Sequence, residues 1–377
     1  MRAQLERDFE RFGRELPRDF AAHVRERYAI DLSARYLGFP LPHPVGKGSG
    51  QLSLHDSQIE VDLAAGLAFV VLKTVIAQDE RGARTMAAWA THETRMEVER
   101  RRTGEREGWT VTWKGRGWDR SFEDYLALVR TARDVTRGGM PVVPSVKYHL
   151  PPLGEPFRDE EYRFTTQALA REWGAAPLPL EKDFSPTLAG DARSDERAGI
   201  RRWLAEVPAR IRAAAPVRLG VKLMNARFDD GFQREMVEGT GGADALIVFN
   251  RLFDAERQVA YGGWELSDRN LRVLDALAPG AGPRSLTGTG NVCSGRMIAE
   301  YARRGCESVQ LHTAFQLPLS AYPARDGSRT QRVLHQMIFD PRDGLIAVLW
   351  ELEAEGRITR RGGELRFLDL ADARRPR

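Results

Sequence analysis

The fold is decided by residues 284–315, which read RSLTGTGNVCSGRMIAEYARRGCESVQLHTAF. Two short apolar runs, 284–289 and 307–313, flank a helical pattern over 295–304, so the segment predicts a strand, a helix and a second strand. The glycines of Thr287–Gly295 lie where the first strand passes into the helix. A glycine-rich turn lets a phosphate approach the backbone, and the amino end of a helix supplies N–H groups, so this turn predicts a phosphate site.

The same alternation extends through most of the chain. Strands are predicted over 44–49, 67–74, 141–147, 177–183, 218–224, 244–250, 284–289 and 307–313. Helices are predicted over 56–65, 120–135, 159–174, 195–214, 228–238, 267–277, 295–304 and 330–356. Alternating strands and helices predict an α/β fold with a parallel sheet, and eight such units favour closure as a (β/α)8 TIM barrel. An open doubly wound sheet is the alternative.

The remaining segments extend the barrel. Residues 1–30 are predicted as an N-terminal helical extension with one amphipathic helix, and residues 31–325 as the barrel. An insertion over 76–119, after strand 2, is expected to fold as a hairpin or lid. Residues 326–377 are expected to supply a closing helix and a small C-terminal hairpin around Arg361-Gly-Gly363; a winged-helix fragment is the alternative.

Composition excludes several classes of protein. The 377 residues are 42% hydrophobic, which is enough for a large packed core. The formal net charge is only +4, and basic and acidic residues are interleaved, which is typical of solvated helix faces and not of a nucleic-acid surface. We expect a cytoplasmic protein, because no apolar run reaches the ~18 residues of a membrane span. Cys293 and Cys306 are the only cysteines, so neither a metal site nor an iron–sulfur site is predicted.

The lysines suggest a ligand. Only six of the 57 basic residues are lysines, and five of these lie in or just after predicted strands 1 to 5. They are Lys47, Lys73, Lys147, Lys182 and Lys222. Barrel sites form at the carboxyl ends of the strands, so these ammonium groups predict an anionic ligand. The alternative is that Asp and Glu side chains of the barrel rim pair with them.

These motifs resemble the FMN-dependent dihydroorotate dehydrogenases and the related flavin domain of dihydropyrimidine dehydrogenase. The likeness begins at residues 31–45, DLSARYLGFPLPHPV, which are similar to the family's N-terminal hairpin, and it extends to about residue 316. It implies one non-covalent FMN, with Lys222 similar to the lysine that faces flavin N1 and O2 and with Asn291 in place of a usual glycine. The residues that match flavin-binding positions are Gly48, Ser49, Gly50, Lys73, Thr74, Lys222, Asn250, Gly262, Gly263, Gly288, Gly290, Asn291, His312 and Thr313.

The resemblance also implies a proton-transfer residue after strand 4. In the family a cysteine or serine precedes a proline there, and in the segment Leu180-Glu-Lys-Asp-Phe-Ser-Pro-Thr187 that place is taken by Ser185. Because a serine is a weak base, a relay through water or a neighbour such as Lys182 is expected to assist it. The alternative role for Ser185 is a helix or turn cap before Pro186.

Departures from the family concern the substrate. Lys182 and Thr187 stand where orotate-binding members carry asparagines, so dihydroorotate is not the expected substrate. The sequence predicts an FMN-dependent dehydrogenase or reductase that acts on a C–C bond beside a carbonyl of a small anionic or cyclic amide substrate. Two alternatives are a flavin-binding sensor that uses residues 343–367 to contact a partner, and a flavin-free barrel that binds a sugar phosphate. The expected partner is the small-molecule substrate, without nucleic acid or membrane; homodimerisation is left open.

Overall fold

The computed structural model describes residues 2–86, 95–103, 106–114, 117–184, 197–226, 229–254, 259–277 and 285–373. Its helices are α1 (Arg2–Phe12), α2 (Phe20–Tyr28), α3 (Asp56–Ala64), α4 (Phe122–Arg137), α5 (Asp159–Trp173), α6 (Arg197–Ala214), α7 (Asp230–Glu238), α8 (Trp264–Ala276), α9 (Gly295–Ala302), α10 (Thr313–Gln316), α11 (Arg329–Phe339), α12 (Leu345–Ala354) and α13 (Phe367–Asp372). Its strands are β1 (Ile30–Asp31), β2 (Ala34–Tyr36), β3 (Phe39–Leu41), β4 (Val45–Lys47), β5 (Phe69–Val71), β6 (Val75–Ile76), β7 (Arg95–Thr103), β8 (Arg106–Lys114), β9 (Val142–Val143), β10 (Ser145–Lys147), β11 (Leu178–Asp183), β12 (Val217–Lys222), β13 (Ala245–Val248), β14 (Leu252–Asp254), β15 (Val259–Gly262), β16 (Leu286–Thr289), β17 (Cys306–Leu311) and β18 (Leu365–Arg366).

Ten strands form one curled parallel sheet. Their order is β6-β10-β11-β12-β13-β16-β17-β4-β5-β9, so strands that are close in sequence lie side by side and the last, β17, pairs with the first, β4. Among the described strands this order does not reverse as it does in a doubly wound sheet, so that alternative is wrong. The mixed α/β class with a parallel sheet is confirmed.

Two of the predicted strands are interrupted. The strand predicted over 67–74 is observed as β5, followed after three residues by β6, and the strand predicted over 141–147 is observed as β9 and β10 around Pro144. Proline has no N–H group to donate to a neighbouring strand, which accounts for the second break. β5 pairs with β9 and β6 pairs with β10, both in parallel. The N–H group of Leu72, between β5 and β6, donates to the carbonyl oxygen of Val143 at 2.9 Å, so the two interrupted segments lie side by side.

The core lies on both faces of the parallel sheet. All six residues of β11 are buried, and so are all six of β17, as expected for parallel strands that are covered on both sides. Helix α6 buries Ile200, Leu204, Val207 and Ile211, whose spacing places them on one helical face. Within the described ranges, every helix is too short or too polar to cross a lipid bilayer.

The expected hairpin between residues 31 and 45 is present as β2 and β3. Its two turn residues, Leu37 and Gly38, have φ values of 47° and 76°, the left-handed conformation that tight hairpin turns adopt. Tyr36 stacks on Phe69 of β5, with ring centroids 4.0 Å apart, and its hydroxyl donates to Glu181 of β11 at 3.0 Å. The hairpin therefore packs against the interior of the parallel sheet.

The N-terminal extension differs from the prediction, because it contains two helices and not one. Residues 13–19 separate α1 from α2; they include Pro17, which disfavours the helical conformation in the residue before it, and end at Asp19. The Asp19 side chain caps α2 by accepting the N–H of Ala22 at 2.9 Å. The hydroxyl of Tyr28 donates to Asp8 at 2.5 Å and holds the two helices together.

The insertion contains the predicted hairpin, formed by the antiparallel pair β7 and β8. Strand β8 also pairs with β15, and β15 pairs with β14, so a four-stranded antiparallel sheet results. β14 and β15 belong to the segment that follows β13, and the sequence analysis did not predict them. Pairing between such distant segments leaves no local pattern in the sequence.

The C-terminal region also differs from the prediction. The helix predicted over 330–356 is observed as α11 and α12, which the turn 340–344 separates at Pro341. Beyond α12, the expected hairpin is reduced to a single antiparallel bridge between Arg361 and Glu364. The chain then forms β18, which pairs in parallel with β1, and ends in α13. Leu365 is buried beside its partner Ile30, so this segment packs on the N-terminal region, and residues 343–373 form neither a two-stranded hairpin nor a winged helix.

Candidate functional site

A cleft lies at the carboxyl ends of the parallel strands, and we call it the strand-end cleft. Eight of the predicted flavin-binding residues line it, namely Gly48, Ser49, Gly50, Lys73, Thr74, Lys222, Asn250 and His312. Six further residues line it, namely Gln51, Gly117, Lys147, Asp183, Arg251 and Thr289. These described residues enclose only about 40 Å³, so they form the floor of a site and not a complete pocket for a ring-sized ligand, which needs several hundred Å³.

Two buried side chains of the sheet interior hold the Lys222 ammonium group in place. Its Nζ donates to Oε1 of Gln310 at 2.9 Å and lies 3.6 Å from Oε1 of Glu181. Nε2 of Gln310 in turn donates to Glu181 at 2.5 Å. Both partners are fully buried in the sheet interior, so the ammonium group has a fixed position at the cleft floor.

Asp183 is the one carboxylate among the described residues that line the strand-end cleft. Its Oδ2 lies 3.8 Å from the ammonium group of Lys147 and 3.5 Å from the hydroxyl of Thr74, which donates to it. Burial alone would raise the pKa of Asp183, but the charges of Lys147, Lys222 and Arg251 outweigh that effect and lower it. Asp183 is therefore ionised at neutral pH and can only accept hydrogen bonds.

Lys73 presents a buried ammonium group to the same cleft. Its side chain is 7% exposed, and within the described part of the chain its Nζ makes no hydrogen bond or ion pair. Burial, and after it the positive charges of Arg251 and Lys147, lower the pKa of Lys73 to about 7, against the opposing effects of Asp183 and Asp119. Near neutral pH this group exchanges between its charged and neutral forms.

His312 completes the floor beside Gly50. A Cβ atom on Gly50 would lie 2.3 Å from Nε2 of His312, so only glycine fits against the ring. Burial, together with the surrounding cations, Arg251 and Lys222 foremost, lowers the pKa of His312 to about 3. The imidazole is therefore neutral at physiological pH.

The glycine-rich turn after β16 is shaped largely by its own packing. A Cβ atom on Gly288 would lie 2.5 Å from the ring of Tyr301, and one on Gly290 would lie 2.4 Å from Nδ2 of Asn270. Gly290 also has a φ of 107°, and Asn291 has a φ of 51°, a left-handed conformation that asparagine tolerates. The turn is thus held tightly against α8 and α9.

The amino end of α9 does not offer the free N–H groups that the sequence predicted. The N–H of Arg296 donates to the carbonyl oxygen of Asp343 at 2.9 Å, and that of Met297 donates to the Ser294 side chain at 3.2 Å. The turn before α12 covers this end so closely that a Cβ atom on Gly295 would lie 2.1 Å from the backbone nitrogen of Leu345.

The other predicted phosphate-side residues lie close together. A Cβ atom on Gly262, at the end of β15, would lie 3.7 Å from Oγ1 of Thr313. Gly263 follows as the N-cap residue of α8, and Thr313 follows His312 of the cleft floor. The segment after β13 and the start of α10 therefore meet beside the strand-end cleft.

Lys182 does not line the strand-end cleft, although the sequence analysis assigned it a catalytic role. The side chains of its neighbours Glu181 and Asp183 face the sheet interior, and alternation along a strand turns Lys182 the other way. Its Nζ donates to the carbonyl oxygen of Asp183 at 2.9 Å and lies 4.2 Å from the centroid of the Phe184 ring. Burial lowers the pKa of Lys182 to about 7. The other catalytic candidate, Ser185, lies outside the described residues, as does Thr187.

Lys47 is paired with a carboxylate, which is the alternative that the sequence analysis left open for the lysines. Both carboxylate oxygens of Asp62 in α3 accept hydrogen bonds from its Nζ, at 2.5 and 2.7 Å. The hydroxyl of Thr330 donates to the same carboxylate at 2.6 Å. This buried pair ties β4 to α3 and α11, so Lys47 has a structural partner and does not need a ligand.

Sequence reasoning missed Asp183 and Arg251 as site residues. Each stands directly after a residue that was considered, Lys182 and Asn250, at the carboxyl end of its strand. A charged residue at such a position was a usable signal. No signal in the sequence marked Gly117 as a cleft residue, because it reaches the cleft only through the folding of the insertion.

Searches with this chain against models of known protein families and against curated proteins find no match. Among the described residues, no group of three His, Cys, Asp or Glu side chains is placed to hold a metal ion.

Proposed function

We propose that this chain is an FMN-dependent oxidoreductase that transfers hydride to or from a C–C bond beside a carbonyl of a small anionic or cyclic amide substrate. The observation that carries the proposal is the floor of the strand-end cleft, where the fixed ammonium group of Lys222 lies beside the backbone of Gly48 and where Gly50 packs against His312. Such a floor suits a flat ring that accumulates negative charge along one edge.

We also propose that the parallel sheet is a closed (β/α)8 barrel. If β5 and β6 are parts of one strand and β9 and β10 are parts of another, the ten observed strands become eight. The two ends of the observed order, β6 beside β10 and β5 beside β9, then belong to a single junction. The hydrogen bond from Leu72 to Val143, between those parts, supports this interpretation.

The residues present fit FMN in their chemistry. A Cβ atom on Gly48 would lie 3.5 Å from Nζ of Lys222, so a side chain there would occupy the space in front of the ammonium group. The hydroxyls of Ser49 and Thr74, which are 2.8 Å apart, offer further hydrogen bonds at the same edge. By the resemblance, the phosphate would be held at Gly290, Asn291 and Thr313. FMN, when bound, supplies a hydride donor and acceptor at N5.

We assign charge stabilisation, substrate binding and proton transfer to side chains of this chain. Lys222, fixed by Gln310, stabilises negative charge that develops at the floor of the cleft. Lys73 and Arg251 bind the anionic group of the substrate, because both present positive charge to the same space. Ser185 is proposed to move the proton at its Oγ, as the resemblance implies. A role for Lys182 would be to support the backbone at Asp183, whose carbonyl oxygen it binds.

The sensor alternative receives no support from the C-terminal segment. Leu345, Ile346 and Leu349 of α12 are fully buried, and β18 pairs with β1. A segment packed in this way does not present an apolar face for a partner.

The first experiment is the visible absorbance of the purified protein, followed by mass analysis of the cofactor that heat releases. We expect FMN and not FAD, because the sequence offers one glycine-rich phosphate turn, over residues 287–295, and no second one for an adenylate. Titration of stripped protein with FMN should show saturable binding that Lys222→Met weakens by tenfold or more, whereas Lys47→Met, which removes a lysine outside the cleft, should leave FMN affinity unchanged in the folded fraction. A colourless protein that does not bind added FMN would contradict the proposal.

A further inference from the structure

Lys73 carries an amine without a partner in the strand-end cleft. Its side chain is 7% exposed, and Nζ makes no hydrogen bond or ion pair with the residues that the structure describes. The other two lysines that line the cleft are engaged. Lys222 donates to Gln310 at 2.9 Å, and Lys147 lies 3.8 Å from Asp183. Of these three lysines, Lys73 is therefore the one whose nitrogen is available to react with a ligand.

The surroundings of Lys73 favour its neutral form. Burial, and after it the positive charges of Arg251 and Lys147, lower the pKa of Lys73 to about 7. Asp183 and Asp119 act in the opposite direction. The other titratable groups that line the cleft are Lys222 and His312. A desolvated lysine beside another cation has the properties of an amine nucleophile, because its lone pair is free at neutral pH.

A proton acceptor lines the same cleft. Asp183 is 3% exposed, and its Oδ2 is the oxygen that faces Lys147 and Thr74. The other oxygen, Oδ1, is buried and has no hydrogen-bond partner among the described residues. Because the carboxyl group is ionised, Oδ1 can take up a proton and give it back.

We propose that Nζ of Lys73 forms an imine with the carbonyl carbon of a small aldehyde or ketone. Nitrogen bonds to the carbonyl carbon, and the π electron pair of the carbonyl group moves to its oxygen. Oδ1 of Asp183 takes a proton from the nitrogen and returns it to that oxygen, which leaves as water. The step needs neither an oxidant nor a reductant. It involves no flavin, so the inference goes beyond the proposed function and does not rest on it.

The chemistry of the amine limits the ligand class. Amides and carboxylates do not form imines with amines, so the reacting group is the carbonyl of an aldehyde or ketone. Lys147, Lys222 and Arg251 line the cleft beside Lys73, so a carbonyl compound that carries a carboxylate is attracted and one that carries an ammonium group is repelled. Arg251 keeps its charge when Lys73 is neutral. Pyruvate is therefore a suitable probe.

Reductive trapping tests the proposal on the unaltered protein. The purified protein is incubated at pH 8 with pyruvate and cyanoborohydride, which reduces an imine to a stable secondary amine, and the adduct is located by peptide mapping. We expect one adduct per chain, at Lys73, formed about 100-fold faster than at any other of the six lysines. The reason is that an ordinary lysine is only about 0.4% neutral at this pH. Lactate, which has the carboxylate but no ketone, should give no adduct.

The pH profile of trapping identifies the amine. Because the pKa of Lys73 is about 7, its neutral form accumulates as pH rises through 7, and the rate should level off above pH 8. An ordinary lysine becomes tenfold more reactive with each pH unit up to about pH 10. A rate that keeps rising in that way, or an adduct spread evenly over the lysines, would overturn the inference without any variant.

Three variants assign the roles. Lys73→Arg should abolish the adduct, whereas Lys182→Met should retain it in full, because Lys182 does not line the cleft. Asp183→Asn should slow trapping at least tenfold at pH 8, where Lys73 is already neutral, and should leave the adduct at the same lysine. An unchanged rate in Asp183→Asn would contradict the proton transfer, and an adduct that persists in Lys73→Arg would contradict the imine.

The imine and the proposed oxidoreductase fail separately. FMN content is measured by absorbance before each trapping experiment. Protein that holds FMN but gives no adduct at Lys73 contradicts the imine alone. Protein that holds no FMN but forms the adduct contradicts the proposed oxidoreductase and supports the imine.

Discussion

The imidazole of His312 lies against the backbone of Gly50, so closely that a Cβ atom on Gly50 would be 2.3 Å from Nε2 of the ring. This contact joins the segment after β4 to the segment after β17, the first and last of the predicted barrel strands. It also positions a neutral histidine among the cations of the strand-end cleft. The shape of the floor therefore depends on the absence of a side chain at residue 50.

Gly50→Ala should disturb this floor. The new methyl group forces the ring of His312 to move, and overpacking of this kind costs about 1–3 kcal/mol of unfolding free energy. We expect a loss in that range by urea denaturation, together with weaker FMN binding. Gly241→Ala is the matched control, because a Cβ atom there meets nothing within 4 Å. Equal effects of the two changes would show that the His312 contact does not matter.

The ion pair between Lys47 and Asp62 should affect the stability of the fold and not the chemistry of the cleft. Lys47→Met leaves the buried carboxylate of Asp62 without its cation and should lower the unfolding free energy by about 3–5 kcal/mol. The double change Lys47→Met with Asp62→Leu should recover most of this loss, because an apolar pair replaces the ion pair. Denaturant titration of the three variants measures both effects. A double variant as unstable as the single one would contradict this explanation.

Anion binding in the strand-end cleft should depend on pH through the protonation state of Lys73. Its pKa of about 7 means that the ammonium form, which binds a carboxylate, prevails below pH 7 and is lost above it. Affinity for a small carboxylate, with pyroglutamate as the probe, should therefore fall above pH 7, by up to tenfold per pH unit. The other charged groups that act on the pKa of Lys73 are Arg251, Lys147, Asp183 and Asp119. Arg251 keeps its charge throughout this pH range, and Asp183 stays ionised because its pKa is lowered.

Two variants test the assignment to Lys73. Lys73→Arg should make the affinity nearly independent of pH between 6 and 9, because a guanidinium group does not titrate there. Lys182→Met should keep the pH dependence, although the pKa of Lys182 is also about 7, because Lys182 does not line the cleft. Calorimetric titrations across this pH range decide between the two lysines.

Lys222 should affect the flavin as well as the fold. Lys222→Met removes the donor to Gln310 and leaves Glu181 without a cation 3.6 Å away. We expect lower FMN retention and a more negative reduction potential, also with a chemical reductant that needs no catalytic base. Adding Glu181→Gln should restore much of the stability but not the potential. A potential that recovers with the stability would show that Lys222 acts only through folding.

Ser185 is predicted to carry the proton. Ser185→Ala should slow substrate-driven reduction of the flavin by roughly 10²–10⁴-fold, the usual contribution of a positioned acid or base, and should leave FMN content unchanged. Rapid mixing without oxygen measures the rate. A rate equal to that of the unaltered protein would assign Ser185 to capping the turn at Pro186.

Dihydroorotate should be a poor substrate, because the asparagines of orotate-binding members are absent here: Lys182 replaces one and does not line the strand-end cleft, and Thr187 replaces another. Rapid bleaching of the flavin at low dihydroorotate concentration would contradict this expectation.

The order of strands and helices was accessible from sequence because it depends on local patterns. An apolar run such as 178–183 and the helical spacing of Ile200, Leu204 and Ile211 each report how a segment is buried, whatever its neighbours are. Most of the cleft residues were accessible for a related reason. Parallel strands bring their carboxyl ends to one edge, so Lys73, Lys222 and Asn250 could be placed together before their contacts were known.

The partner of each charged side chain was decided only by the tertiary structure. Lys47 and Lys73 follow similar apolar strands, yet Lys47 pairs with Asp62 of α3, whereas Lys73 faces the cleft and makes no ion pair within the described residues. Likewise, β8 pairs with β15, and the turn before α12 covers the start of α9. These outcomes depend on which distant segments come within a few ångströms. Local periodicity fixes the face that a residue occupies, and only the packing of remote elements determines what that face meets.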